Sequence, residues 1–165
     1  MPREKMLAAL FALAMPVLAL ACDADPDPFT QADFPLCAPH TLHVVGTVDG
    51  MSVDITVPNG GSGLSQDDNG GDFQFQTEAT SDPEQAILLL DWEHGVVSDK
   101  VTPATATLRL NEGSFAGQSL CAGAGTTIRI PKDESLGVIQ FELVGIRSGD
   151  GCTVARTGEL RGCAN

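Results

Sequence analysis

The chain has 165 residues, 22 Asp and Glu against 9 Lys and Arg, a formal net charge of −13 and a pI of about 4.3. A surface this negative repels nucleic-acid phosphates and anionic lipid headgroups, so the balance excludes nucleic acid as a partner and leaves no basic patch for a membrane.

Arg3 and Lys5 precede an uncharged apolar run of 16 residues, Met6 to Ala21, that ends in Leu18-Ala19-Leu20-Ala21-Cys22. A positive start, an apolar stretch and small residues at its end make a secretory signal. The run contains Pro16 and falls short of the ~20 apolar residues of a membrane span, which argues against an uncleaved helix. An ordinary signal peptide cut near Ala21 is a second reading of the same residues.

With cysteine directly behind the small residues, residues 1–22 resemble the lipobox of bacterial lipoprotein precursors, with Ala19 where that family usually has leucine. The resemblance implies that residues 1–21 are removed, that the Cys22 thiol receives a diacylglycerol, and that its new amino terminus is acylated. Two or more acyl chains anchor stably where one binds reversibly. The protein is then expected in the cell envelope, lipid-anchored on a periplasmic or surface-exposed side. Asp23 stands where aspartate tends to favour the inner membrane in that family, and either membrane fits the resemblance. Loss of Arg3, Glu4 and Lys5 takes the net charge from −13 to −14.

Residues 22–36 include Asp23-Ala24-Asp25-Pro26-Asp27-Pro28, without an apolar period, and read as an extended, solvated tether. That leaves 37–165 as a single β domain, a size that one core can support.

From Thr41 the apolar residues fall at period two, the mark of strands with one buried face. Leu42, Val44 and Val48 share one face; His43, Val45 and Thr47 share the other. After Asp49-Gly50, Met51, Val53, Ile55 and Val57 point inward and Ser52, Asp54 and Thr56 outward. Asp-Gly between two alternating runs predicts a hairpin with a type I′ turn. Further half-buried strands are predicted at Phe73 and Phe75, at Leu108 and Leu110, at Ile128 and Ile130, and at Ile139, Phe141 and Leu143. Val154 and Leu160 share a parity, which predicts one more strand or a short pair around Gly158. Asn59-Gly60-Gly61, Asn69-Gly70-Gly71, Pro103, Asn111-Glu112-Gly113 and Gly149-Asp150-Gly151 supply the turns.

Residues 83–94 pull two ways. Asp82, Pro83, Gln85 and Gly95 carry the start and stop signals of a short helix. The compact run Ile87-Leu88-Leu89-Leu90 between strand patterns favours a strand. Seven to nine short strands without a long helical pattern predict an all-β fold, an antiparallel β-sandwich or flattened barrel.

Behind Cys22 stand Cys37, Cys121, Cys152 and Cys163, an even count that predicts two disulfides in a secreted chain. No close pair has the spacing of a zinc site. Three connectivities are open. Gly149, Gly151 and Gly158 let the tail double back, which favours Cys37 with Cys121 and Cys152 with Cys163.

Ser65 to Asp72 is the most polar glycine-rich stretch, and hard cations take several oxygens from one flexible loop. Asp67, Asn69 and Gly70 match the third, fifth and sixth positions of a calcium loop, and Asp72 adds a carboxylate. Ser65 replaces the first ligand and Gln76 the closing glutamate, so a solvated hairpin loop is the simpler reading. His40 and His43 are three apart, which puts them on opposite faces of a strand. His94 adjoins Trp92 and Glu93. Sequence order shows no nucleophile elbow, and with no Tyr and one Trp the chain offers a thin aromatic platform for sugars.

The expectation is therefore a lipid-anchored, disulfide-stabilised envelope module without enzymatic activity. It needs no cofactor beyond the lipid on Cys22, and as a monomer it presents a surface to an envelope protein or a small ligand. The alternatives are a Ca²⁺ module using Asp67, Asn69 and Asp72, and a hydrolase whose site has no sequence signature.

Overall fold

The computed structural model describes residues 29, 34–77, 86–132 and 138–165. Among these residues the chain forms β1 (Leu42–Val48), β2 (Met51–Val57), β3 (Gly60–Asp67), β4 (Gly70–Thr77), β5 (Ile87–Glu93), β6 (Thr102–Pro103) and β7 (Thr105–Arg109). It continues as β8 (Ser119–Ala122), β9 (Thr127–Arg129), β10 (Ile139–Leu143), β11 (Arg147–Ser148), a 3₁₀ turn at Asp150–Cys152, β12 (Val154–Ala155) and β13 (Gly158–Ala164). Two open antiparallel sheets, of order β2-β1-β13-β10-β9-β6 and β12-β11-β8-β7-β5-β4-β3, pack as a sandwich rather than a closed barrel. Nine of the strands have four residues or more; the expected seven to nine are joined by four pieces of two or three residues.

Period two fills the core as expected. Phe73 and Phe75 of β4, Leu88 and Leu90 of β5, and Leu108 of β7 face Leu42 and Val44 of β1, Ile139 and Phe141 of β10, and Leu160 of β13 in one buried cluster. Fully burying one such side chain contributes about 1.5–3 kcal/mol. The β1–β2 hairpin turns at Asp49 (φ 51°) and Gly50 (φ 76°), the positive pair that a type I′ turn needs. Met51, expected inward, is exposed beside that turn.

Residues 87–93 of the ambiguous segment are a strand, and 83–85 lie outside the described residues. Pairing on both sides, to β4 and β7, overrides the local helix signals. Val154 and Leu160 do not share a strand or a pair: β12 and β13 belong to different sheets, and Val154 is exposed while Leu160 is buried.

The cysteines form two disulfides, but in another pairing than the glycine-rich tail suggested. Cys37 joins Cys163 and Cys121 joins Cys152. The physical reason is topology. Cys152 sits in the 3₁₀ turn beside β11, which pairs with β8 and its Cys121, whereas Cys163 is held in β13 in the middle of the opposite sheet.

Part of the expected tether is buried against the domain. Phe34 (7% exposed), Pro35 and Cys37 are buried, as is Phe29 (4%), whose ring lies 5.0 Å from that of Phe34. This segment meets the outer face of the β1–β13–β10–β9 sheet, where His43, Cys163, Gln140 and Arg129 align in one cross-strand row. The Arg129 guanidinium stacks 5.5 Å from the Phe29 ring and donates to the Phe29 carbonyl at 3.4 Å. Its Nε and Nη2 also donate to Oε1 of the buried Gln140, at 3.2 and 2.9 Å, so that amide oxygen is satisfied without water. Leu36 is exposed, and residues 22–28 and 30–33 lie outside the described residues, as does the signal segment.

Candidate functional site

The cleft is built where β5 ends and where the chain crosses between sheets. β6 pairs with β9 in one sheet, and after the single residue Ala104 the chain enters β7 in the other. Ala104 N–H donates to the Thr126 carbonyl at 3.0 Å, which fixes the crossing.

On β5 the alternation sends Leu88, Leu90 and Trp92 inward, and Asp91 and Glu93 outward. Trp92 is buried, and its indole N–H donates to the Gly95 carbonyl at 3.2 Å, closing a turn through His94 (φ 70°) and Gly95 (φ 86°). His94 N–H donates to the Asn69 carbonyl at 2.9 Å, and Val97 N–H donates to Gln66 Oε1 at 3.0 Å, tying that turn to the β3–β4 hairpin. Glycine is needed at 70, where φ is 142° and a Cβ would meet the Trp92 carbonyl at 2.2 Å.

The result is a cleft of about 700 Å³ lined by Gly71, Asp91, Trp92, Glu93, His94, Thr102, Pro103, Ala104 and Thr105. Its volume suits a small molecule or one side chain of a partner. Trp92, Pro103 and Ala104 supply apolar lining, and Asp91 and Glu93 supply negative charge. The exposed His94 ring stands 3.9 Å from Glu93, beyond hydrogen-bond length. The arrangement can hold a ligand with an apolar body and a positively charged group.

The sequence-nominated residues fall in three places. Asp67 ends β3 and Asn69 lies in the β3–β4 turn, where Asp67 Oδ1 accepts the Asn69 N–H at 2.7 Å. Asp72 is on β4, opposite Ser65 on one side and Asp91 on the other, so it stands in a cross-strand row leading to the cleft. Among the described residues no group of three or more His, Cys, Asp or Glu is disposed to hold a metal ion. His43 pairs with Asp54 across β1 and β2 at 3.1 Å on the opposite sheet, and His40 lies at the entry to β1 with its carbonyl accepting Gly60 N–H. Of the three histidines, His94 alone lines the cleft.

A second polar cluster ties the sheets together at one end. Asp49 Oδ1 accepts Thr157 N–H at 2.9 Å and Thr157 Oγ1 at 3.2 Å, and Oδ2 accepts Arg156 Nη1 at 3.0 Å. The Thr157 backbone donor first, then Arg156 and the Thr157 hydroxyl, hold the Asp49 carboxyl below its ordinary value of 3.8 against the opposing effect of desolvation. Arg156 Nε also donates to the buried Ser148 hydroxyl at 2.7 Å.

Asp91, Thr102 and Pro103 could not be assembled from spacing, since the cleft is made by a crossing between sheets. The available signal was the pair Trp92 and His94 beside a turn glycine. Comparison with protein-family models, curated proteins and solved structures gives no match for this chain.

Proposed function

We propose that the protein is a lipid-anchored envelope module that works by binding, with Cys22 as the lipidated residue and the cleft beside Trp92 as its small-ligand surface. The observation that carries this reading is cysteine usage: Cys37, Cys121, Cys152 and Cys163 are consumed by two disulfides. Such bonds persist in an oxidising compartment. Of the five cysteines, that leaves Cys22, directly behind the small-residue end of a secretory start. The cleft supports binding because apolar residues and two acidic residues are among those that line it.

The test is the intact mass of the native protein from a membrane fraction, with and without reductant. The expected result is the mass of residues 22–165 plus acyl groups, with four cysteines protected until reduction. An unmodified mass in the soluble fraction would end the anchored reading. Turnover of ester, peptide or glycoside substrates that a point substitution abolishes would end the non-enzymatic one.

A further inference from the structure

Among the described residues four strands form the ends of the two sheets: β2 and β6 in one, β12 and β3 in the other. Sheet edges are normally blunted by shortness, charge or proline. β6 and β12 have two residues each, and β2 carries Asp54 at its centre and stops at Pro58. β3 has none of these devices over Gly60–Gln66, an uncharged stretch in a chain with 22 acids.

The register identifies the open backbone groups. The two-residue turn Asp68-Asn69 makes Asp67 and Gly70 a hydrogen-bonded pair, and antiparallel alternation then aims Gly61, Gly63 and Ser65 at β4. The N–H and C=O groups of Ser62, Leu64 and Gln66 therefore point away from the sheet. Gly60, of that same parity, donates its N–H away from β4, to the His40 carbonyl. Leu64 is 39% exposed at this edge. A Cβ at Gly61 or Gly63 would meet nothing within 4 Å, so packing inside the fold gives no reason for glycines that weaken a strand.

We infer that β3 is the pairing edge for a second copy of this chain, antiparallel about a two-fold axis through Leu64. In this register Leu64 opposes its own counterpart, Ser62 opposes Gln66, and all three outward backbone positions bond across the join. Gly61 opposes Asp67, so the two Asp67 carboxylates stand six residues apart along the strands. That is about 20 Å, beyond the ~8 Å screening length at physiological salt. The edge is thus self-complementary in hydrogen bonds and apolar contact, with its like charges held apart, the condition for a closed isologous pair. The pairing does not depend on the lipid anchor, and it replaces the monomer expected from the sequence.

Sedimentation velocity of the disulfide-bonded protein between about 10 μM and about 1 mM, the range where a weak interface populates, tests it. The weight-average mass is expected to climb toward twice the monomer, and more readily as salt rises from about 0.15 M to about 1 M and screens the net negative charge. Amides of Ser62, Leu64 and Gln66 should exchange more slowly at the high concentration. Leu64→Lys should weaken association at least about tenfold, while Leu89→Lys, exposed on the outer face of the same sheet, should leave it unchanged. Mass and amide exchange that ignore concentration would overturn the inference, as would association indifferent to Leu64→Lys. The amide measurement on the unaltered protein decides the matter if that variant does not fold.

Discussion

Asp49 and Arg156, 107 residues apart, are joined by a 3.0 Å salt bridge that connects the β1–β2 turn of one sheet to the segment following β12 of the other. Asp49 N–H also donates to the Thr157 carbonyl at 2.8 Å, so the link is held by main chain as well as by charge. Because the folded carboxyl is held below its ordinary value of 3.8, its contribution to stability is present above that value and is lost as pH falls through the lower folded value. Asp49→Asn should therefore melt at a lower temperature than the parent at neutral pH, with the difference shrinking at acid pH. Thermal melts across the acid range check this; a gap that does not change with pH would show that ionisation of Asp49 contributes nothing.

Gly162 is a close-packed point in the sheet centre. It pairs with Val44 on one side and Phe141 on the other, and a Cβ there would meet the His43 carbonyl at 2.5 Å and the Phe141 ring at 2.3 Å. Backbone cannot yield as a flexible side chain does, so Gly162→Ala should cost about 1–3 kcal/mol. Gly50→Ala, with nothing within 4 Å, tests backbone conformation alone at φ 76°. Urea titrations of both separate crowding from backbone strain.

The two disulfides should differ in effect. Cys37–Cys163 spans 126 residues and Cys121–Cys152 spans 31. In the chain-entropy account the longer loop constrains the unfolded chain more, by about 1 kcal/mol between these two. Paired Cys→Ser variants should lose about 2–5 kcal/mol each, more for the Cys37–Cys163 pair. Equal losses in denaturant titrations would point to enthalpic or native-state effects instead.

Trp92 is the sole tryptophan, and it lines the cleft while its indole is buried. Its emission should be blue-shifted in the folded protein and should respond to a bound ligand. An aryl quaternary ammonium probe should bind about three- to tenfold more weakly to the Asp91→Asn, Glu93→Gln double variant, and that difference should vanish in high salt. Unchanged emission on titration would remove the cleft from consideration.

Much of the fold was legible in the chain, and the failures share a cause. Asp49-Gly50 announced its hairpin because a local backbone requirement set it. β3 did not announce itself: Gly60-Gly61-Ser62-Gly63 has the composition of a turn, and it is extended because β4 pairs with it along its length. Phe29 and Phe34 read as solvent-facing because Asp and Pro dominate their surroundings, yet two aromatic rings ahead of Cys37 were a signal for contact. The cleft depended on which strand follows β6 into which sheet, a property of topology that period and spacing do not encode.

The Cys37–Cys163 bond also gives the molecule a mechanical character. β13, which carries Cys163, lies between β1 and β10, in the interior of its sheet. Tension applied upstream of Cys37 and at the C-terminus travels through sulfur directly to the end of that strand. Residues 38–162 form a covalent loop that bears none of the load, so a pull between these points bypasses the sandwich and does not unravel it from an edge.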